Sequence, residues 1–508
     1  MTLDRREFML KMAGISGMGI MSTSIPLLTA VNSSGAEYTT DIPKPVLLRD
    51  TRNTATRLGI DPRIWNWHRD ADTSAAMPAN YYEASLSEWP EFGRLPADQT
   101  CDVVIIGGGL LGASTALHLA EAGLDVIVIE KDNVGSGASG RNGGQITPGL
   151  ARWDAATMMS HLSTDEARRL WHFCGAEAME LIDDLSARHN FACERKRGHM
   201  TTAVHAGHMG YLVENADARK ELGDPAVRII GSHELKDYIR SDIYYGAAVD
   251  SGGGQVHPLA LLRGLVYGFI RKGGRIYEKT AMQGLEKTPS GAVVTTHYGT
   301  IKARKAVVLA VHSYTSWLLP NHSTTMPFFT YVAVTPPLPM DVRELLPADM
   351  PVYDTQLQID YYRAVRDNRL LFGGQGTGNS WSPRDVNNYL LDRIRTVFPQ
   401  LQDPELEYSW SGISDITING VTDCRKNDDP VPVYAVHGWN GHGVAQTVRI
   451  GKAVSDDVTG RNDDFLMLTH FEHKQIPLNN YIGPVVIPLV KGALGLKSML
   501  TPADVVSF

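Results

Sequence analysis

Apolar and polar positions alternate most regularly between residues 101 and 130. Val103 to Ile106 is an unbroken apolar run between a charge and a glycine, which predicts a strand buried on both faces. Small and apolar residues over 110–120 predict a helix. A second apolar run, 126–129, predicts another buried strand ending at Glu130. Further on, helical periodicity spans 164–189, with Leu170, Phe173, Ala176, Met179 and Leu181 on one broad face. A helix is predicted over 257–272, after a turn at Ser251-Gly252-Gly253-Gly254. Strands are predicted at 275–277, 292–297 and 306–311, and strands of a second sheet at 331–335 and 370–373. A helix over 386–398 accompanies that second sheet. A strand at 433–437 then leads through Gly438 to Gly443 into a helix ending near Val458, so the chain closes as it opens, with strand, glycine turn and helix.

The opening turn carries chemistry. Gly107, Gly109 and Gly112 form G-x-G-x-x-G where the strand becomes a helix, with Leu110 and Leu111 in the first helical turn. Gly107 permits the tight turn, Gly109 lets the backbone approach a pyrophosphate, and Gly112 lets helix and strand pack closely. A pyrophosphate would lie on the N–H groups of the helix start, where the macrodipole is positive. Glu130 is placed to accept a ribose hydroxyl, and an acid there disfavours a 2′-phosphate. The ligand is a dinucleotide, FAD or NAD.

The net charge of −8 and the lack of basic clusters interleaved with aromatics exclude nucleic-acid binding. Cys101, Cys174, Cys193 and Cys424 have no metal-ligand spacing, so no metal is expected; Cys101 reads as an inert core thiol, and an exported chain would permit a Cys174–Cys193 disulfide. Arg5-Arg6, followed by a mildly apolar stretch over 12–31, reads as a twin-arginine export signal over 1–36 with small residues for cleavage at Ala36. This predicts a periplasmic enzyme, exported folded by the twin-arginine machinery. A polar, Pro-rich extension follows over 37–100.

Two further constellations select the ligand. Gly137, Ala138, Ser139, Gly140, Arg141, Asn142, Gly143, Gly144 and Gln145 hold too much glycine for regular structure, and predict a loop approaching something closely. Arg141 can neutralise phosphate, and Asn142 and Gln145 can bond a polar heterocycle. At the last helix, Gly441, His442, Gly443 and Val444 would stabilise negative charge such as a reduced flavin carries.

These motifs, with Ser251-Gly252-Gly253-Gly254 ahead of His257-Pro258, Asp360-Tyr361-Tyr362-Arg363 and Trp410-Ser411-Gly412, resemble the D-amino-acid oxidase-like FAD-dependent superfamily, nearest its gamma-glutamylputrescine oxidase branch. Tyr81-Tyr82 also matches that branch. The resemblance implies FAD, an α/β fold with a Rossmann-like FAD-binding domain, and a substrate domain built on a large, mainly antiparallel sheet. It implies domain pieces at 101–195, 246–325 and 408–465 for FAD and at 196–245 and 326–407 for substrate, with an apolar tail at 466–508. It further implies that Glu130 and Lys131 take the adenosine end, Met282 gives a backbone contact to adenine, and Ala310, Val311 and Gly412 lie near the flavin.

The chemistry implied is oxidation of a C–N bond by hydride transfer to the flavin, then imine hydrolysis, with oxygen or a quinone as electron acceptor. No protein nucleophile is needed, only a desolvated, oriented amine. Tyr361 and Tyr362 are expected to line an apolar amine pocket, Arg363 to bind a substrate carboxylate, and His257 to move a proton. The expected substrate is a polyamine or gamma-glutamyl-amine. The alternatives are a cyclic or N-substituted amino acid such as pipecolate, proline or sarcosine, a flavin-binding protein without catalysis, and an NAD-dependent dehydrogenase. Arg363 would discriminate the polyamine from the amino-acid reading, being essential only where a substrate carboxylate must be bound. The region Ser414 to Cys424 departs from the superfamily pattern, and no lysine occurs over 326–335, where some oxidases of the superfamily carry an oxygen-activating one. Finally, the apolar tail over 481–500 is interrupted by Pro484, Pro488, Gly492 and Gly495, which predicts an interfacial segment touching a membrane with Lys491 and Lys497 snorkelling.

Overall fold

A computed structural model describes residues 80–506 apart from 88, 320 and 321. The expected export signal, and the extension as far as residue 79, lie outside the described residues.

Two sheets organise the rest. The first places Gln99–Ile106 in its centre, parallel to Val126–Ile129 on one side and to Gly299–Leu309 on the other. Arg275–Tyr277 and Val433–His437 extend it in parallel, and Asp423–Asn427 closes one edge antiparallel. The apolar runs are buried on both faces because helices cover the sheet. Leu110–Glu121 is buried nearly all round, between the sheet and the helices Pro258–Arg271 and Gly443–Val458. Gly451 permits that crossing: a Cβ there would lie 2.8 Å from Ser114 Cβ, and Ser114 Oγ donates to the Val448 carbonyl at 2.7 Å.

The second sheet has nine strands and is antiparallel except where Val352–Asp354 runs parallel to Lys196–Ala203. Its order runs Tyr408–Thr417, Thr325–Val334, Arg369–Thr377, Tyr361–Val365, Val352–Asp354, Lys196–Ala203, Gly246–Gln255, Gln145–Ile146, with Val227–Gly231 also on Gly246–Gln255. Period-two alternation along Thr325–Val334 divides its side chains. Val332 and Val334 join the core shared with the first sheet, whereas Phe329, Tyr331 and Ala333 pack with Leu390 and Ile394 of the helix Pro383–Val397.

Several expectations change. The helical pattern over 164–189 forms two helices, Thr164–Cys174 and Ala176–His189, because the chain bends at Gly175, where a Cβ would stand 2.8 Å from the Trp171 carbonyl. The Ser251–Gly254 turn is part of the strand Gly246–Gln255; Gly254 at φ +150 lies where a Cβ would be 2.0 Å from Lys196 O. That strand and Tyr408–Thr417 both belong to the second sheet, toward its opposite ends, whereas the expected limits grouped both with the FAD pieces. All four cysteines are buried and free, so no Cys174–Cys193 bridge exists; Cys174 Sγ donates to Leu170 O at 2.8 Å. Burial pushes the Cys101 thiol up to about 12, as suits a core thiol.

The tail differs most. It is a continuous helix, Asn479–Leu500, running through Pro484 and Pro488, and by length and composition it is apolar enough to cross a membrane. One face is held by the protein, since Ile487 packs on Met326, Phe328 and Ile416. Val485, Leu489, Leu496 and Met499 are exposed on the other. Lys491 does not snorkel outward: its ammonium is half-buried against Gln375 and the Gly376 carbonyl.

Candidate active site

The glycine turn has the geometry its spacing predicts. Gly107 takes φ +111 and donates to Ile129 O at 2.8 Å; a Cβ there would meet Ala310 O at 2.4 Å. Ala310 donates to Ile106 O at 2.8 Å, so Ala310 and Val311 sit against the turn. A Cβ on Gly112 would fall 2.0 Å from Gly107 O, which fixes how closely the helix approaches the strand. Gly109 caps that helix with no side-chain bond, and Leu110 N donates to Ser139 Oγ at 2.9 Å. The Glu130 carboxylate accepts from Gly108 N at 2.8 Å and Asp132 N at 2.9 Å, while burial pushes its pKa up. Lys131 pairs with Asp132 at 2.7 Å. Thr280 N donates to Glu130 O at 2.8 Å, and Met282 follows as the buried start of the strand Met282–Thr288.

The loop begins with a single 3-10 turn, Ala138–Gly140, and ends as the short strand Gln145–Ile146. Its polar side chains bond the loop and the strands beside it. Asn142 Nδ2 donates to Ala138 O and Ser139 O, both at 3.1 Å, and its Oδ1 accepts from Gly144 N at 2.9 Å. Gln145 Nε2 donates to Val352 O at 2.9 Å and its Oε1 faces His199 Nε2 at 3.0 Å. Arg141 Nε donates to Ser136 O at 2.8 Å. Gly137, by contrast, faces open space: a Cβ there would meet nothing within 4 Å, and the same holds for Gly441.

Three of the four expected catalytic residues are committed elsewhere. Arg363 is 1% exposed; its Nε donates to Gly143 O at 2.8 Å and its Nη2 to Tyr82 OH at 3.2 Å. Tyr362 is 0% exposed because alternation turns it to the other face of the sheet, where its hydroxyl bonds Tyr244 OH at 2.8 Å and its ring stacks on Phe372. His257 is the N-cap of Pro258–Arg271: Nδ1 accepts from Ala260 N at 3.2 Å and Nε2 meets Ser85 Oγ at 3.0 Å. Desolvation holds its imidazole down to about 3, so it stays neutral. Only Tyr361 of the set reaches partly open space, its ring lying across Gly143 and Gly373. Burial pushes its hydroxyl pKa up, so it is not a base.

The helix Gly443–Val458 starts at His442, whose Nε2 bonds Thr147 Oγ1 and whose imidazole desolvation pulls down to about 4. Val444 lies in its first turn. Asp415, from the departing segment, holds the preceding turn by accepting from Gly438 N at 2.9 Å and Trp439 N at 3.0 Å. Gly412 lies against Arg141, whose Cβ would be 3.5 Å from a Cβ there, and Trp410 Nε1 donates to Arg141 O at 2.8 Å. Tyr82 braces the same loop by donating to Asn142 O at 2.7 Å. Asp415 and Trp410 were not among the expected site residues, since neither signals anything without its partner. Helix starts whose N-cap residues, Gly109 and His442, make no side-chain cap bond, together with open glycines at 137 and 441, fit a dinucleotide redox cofactor.

Residues 102–456 match the family described as FAD dependent oxidoreductase. The chain belongs to this family. As an FAD dependent oxidoreductase it is 33% identical over 399 residues to the gamma-glutamylputrescine oxidoreductase of Escherichia coli K12, covering 77% of this chain and 92% of that one. Its fold is similar to the glycine oxidase of Geobacillus kaustophilus (TM-score 0.61, 22% identity, 74% of this chain, 100% of that one). It is also similar to the L-proline dehydrogenase of P. horikoshii (TM-score 0.61, 19% identity, 73% and 96%). This FAD dependent oxidoreductase therefore acts on an amine or amino acid, and Gly107 to Gly112, Glu130, the loop over 137–145 and Gly441 to Val444 are the residues that would hold FAD.

Proposed function

We propose that the enzyme oxidises the C–N bond of a polyamine or gamma-glutamyl-amine, releasing an imine that water hydrolyses. The burial of Arg363 carries this choice over a small amino acid. The guanidinium expected to take an α-carboxylate gives Nε to Gly143 O and Nη2 to Tyr82 OH beneath the loop, and its Nη1, unpaired among the described residues, is buried away from open space. FAD supplies the two-electron acceptor. The chain's own task is to desolvate and orient: Tyr361 presents an aromatic wall, and the imidazoles of His257 and His442 stay neutral at physiological pH.

The relative's name and its coverage support the same substrate class. Mixing the purified protein anaerobically with diamines, acylated diamines, proline, pipecolate and sarcosine tests the reading. Bleaching of bound flavin by the first two groups is expected, and bleaching by the cyclic or N-methyl amino acids alone would replace it. Repeating the panel with oxygen and with a quinone analogue identifies the acceptor. Export by the twin-arginine route is part of this proposal, and cell fractionation checks it.

A further inference from the structure

The terminal helix and the cofactor loop share one face of the second sheet. Met326 and Phe328, which pack on Ile487, alternate with Phe329 and therefore point the same way as Thr330. Thr330 in turn faces the loop side: a Cβ on Gly412 would be 3.8 Å from Thr330 Oγ1 and 3.5 Å from Arg141 Cβ. Between loop and helix lie Thr330, Ser414, Gly376 and Tyr361, all only partly buried. The loop and Asn479–Leu500 thus flank one strip of the second sheet.

Lys491 enters from the helix. Arg369–Thr377 pairs with Tyr361–Val365 only as far as Gly373, which leaves the Gly376 carbonyl to accept from Lys491 Nζ. Gln375 Oε1, on a residue at φ +62, is the second acceptor. An ammonium has three donors, and among the described residues two are used. Gly376 pairs with Thr330, which pairs with Gly412, so two strand spacings, about 10 Å, separate Gly376 from the strand against the loop.

That separation selects a ligand. In an α-amino acid the carboxylate is bonded to the reacting carbon itself, so a carboxylate held at Lys491 with the reacting amine beside the loop and Gly412 calls for an extended molecule. A long amine with a carboxylate at its far end spans that strip. We propose that Lys491 is a specificity-determining residue that binds the distal carboxylate of an extended amine substrate. This assignment rests on the amine-oxidation reading above and adds to it the group that recognises the far end.

The test compares three substrates sharing one reacting amine: a free diamine, its mono-acyl derivative ending in a carboxylate, and the matching carboxamide. Each is mixed with wild type, Lys491→Gln and Lys491→Arg, and flavin bleaching is followed to give separate kcat and KM. Wild type is expected to favour the carboxylate over the carboxamide. Lys491→Gln should raise KM for the carboxylate about 10- to 100-fold with kcat and the carboxamide KM nearly unchanged, and Lys491→Arg should retain the preference. Equal changes for carboxylate and carboxamide, or no preference in wild type, overturn the assignment while leaving amine oxidation intact. No bleaching by any of the three in wild type overturns the amine reading and this assignment with it. Thermal melting of both variants separates a loosened helix from a lost contact: a Lys491→Gln effect that Lys491→Arg shares, with a lower melting temperature, counts against it.

Discussion

The guanidinium of Arg363 fills the space that any side chain on Gly144 would need: a Cβ there would stand 2.5 Å from Arg363 Nη2 and 2.4 Å from Val256 O. Gly144 also takes φ +73, where other residues are strained. Gly144→Ala should therefore lose flavin, with an absorbance spectrum that shows apoprotein after purification. Arg363→Met should lower thermal stability by roughly 1–3 kcal/mol, since Gly143 O loses its donor. Because Arg363 touches no open space, KM for a carboxylated amine should stay within about twofold in the protein that remains loaded. A selective rise in that KM would mean that the guanidinium reaches substrate after all.

Tyr361 acts through its ring. Its hydroxyl makes one long bond, 3.4 Å, to Tyr331 O, whereas its ring covers Gly143 and Gly373. Tyr361→Phe should leave flavin reduction nearly unchanged. Tyr361→Ala should lower kcat/KM by about 10- to 100-fold, a loss of about 1.4–2.7 kcal/mol of orientation and desolvation. Stopped-flow reduction rates of the two variants check this.

Acid should destabilise the protein through its buried histidines. Desolvation holds His257 and His199 down to about 3, well below the value near 6.5 of an unfolded chain. The unfolded state then binds protons that the native state refuses, so this stability is complete above about pH 6.5 and is lost as pH falls toward about 3. The slope is at most about 1.4 kcal/mol per pH unit for each histidine. His257→Asn keeps a capping residue and should flatten the decline between pH 7 and 5, as read from denaturant midpoints.

Asp415 should prove to be a structural anchor of the cofactor site. Its carboxylate accepts from two backbone N–H groups, and Asp415→Asn leaves an amide with one oxygen to serve both. The variant should melt earlier by about 1–3 kcal/mol and release flavin more readily on dialysis.

What was legible from sequence was local. The turn at Gly107 to Gly112, the buried runs beside it and the strand at 433–437 are set by residues within a few positions of each other, so their spacing sufficed. The glycines at 252–254 misled for a physical reason: Gly254 relieves contact with a neighbouring strand, at Lys196 O, that no local pattern reveals. Tyr362 and Arg363 misled similarly. Their side chains suit substrate binding, but alternation sends one to the helix-covered face and close approach of Gly143 captures the other. Lys491 sits far along the chain from Gly376, and only the packing of the terminal helix brings them together.

The docking of Gly443–Val458 on Leu110–Glu121, with Ser114 bonded to Val448, has a consequence for biogenesis. The nucleotide grip is assembled from the first helix made after residue 100 and one of the last, so nascent protein cannot be charged while it is still being translated. Chains ended by a stop codon before Gly443 should emerge colourless, whatever the integrity of their leading strand.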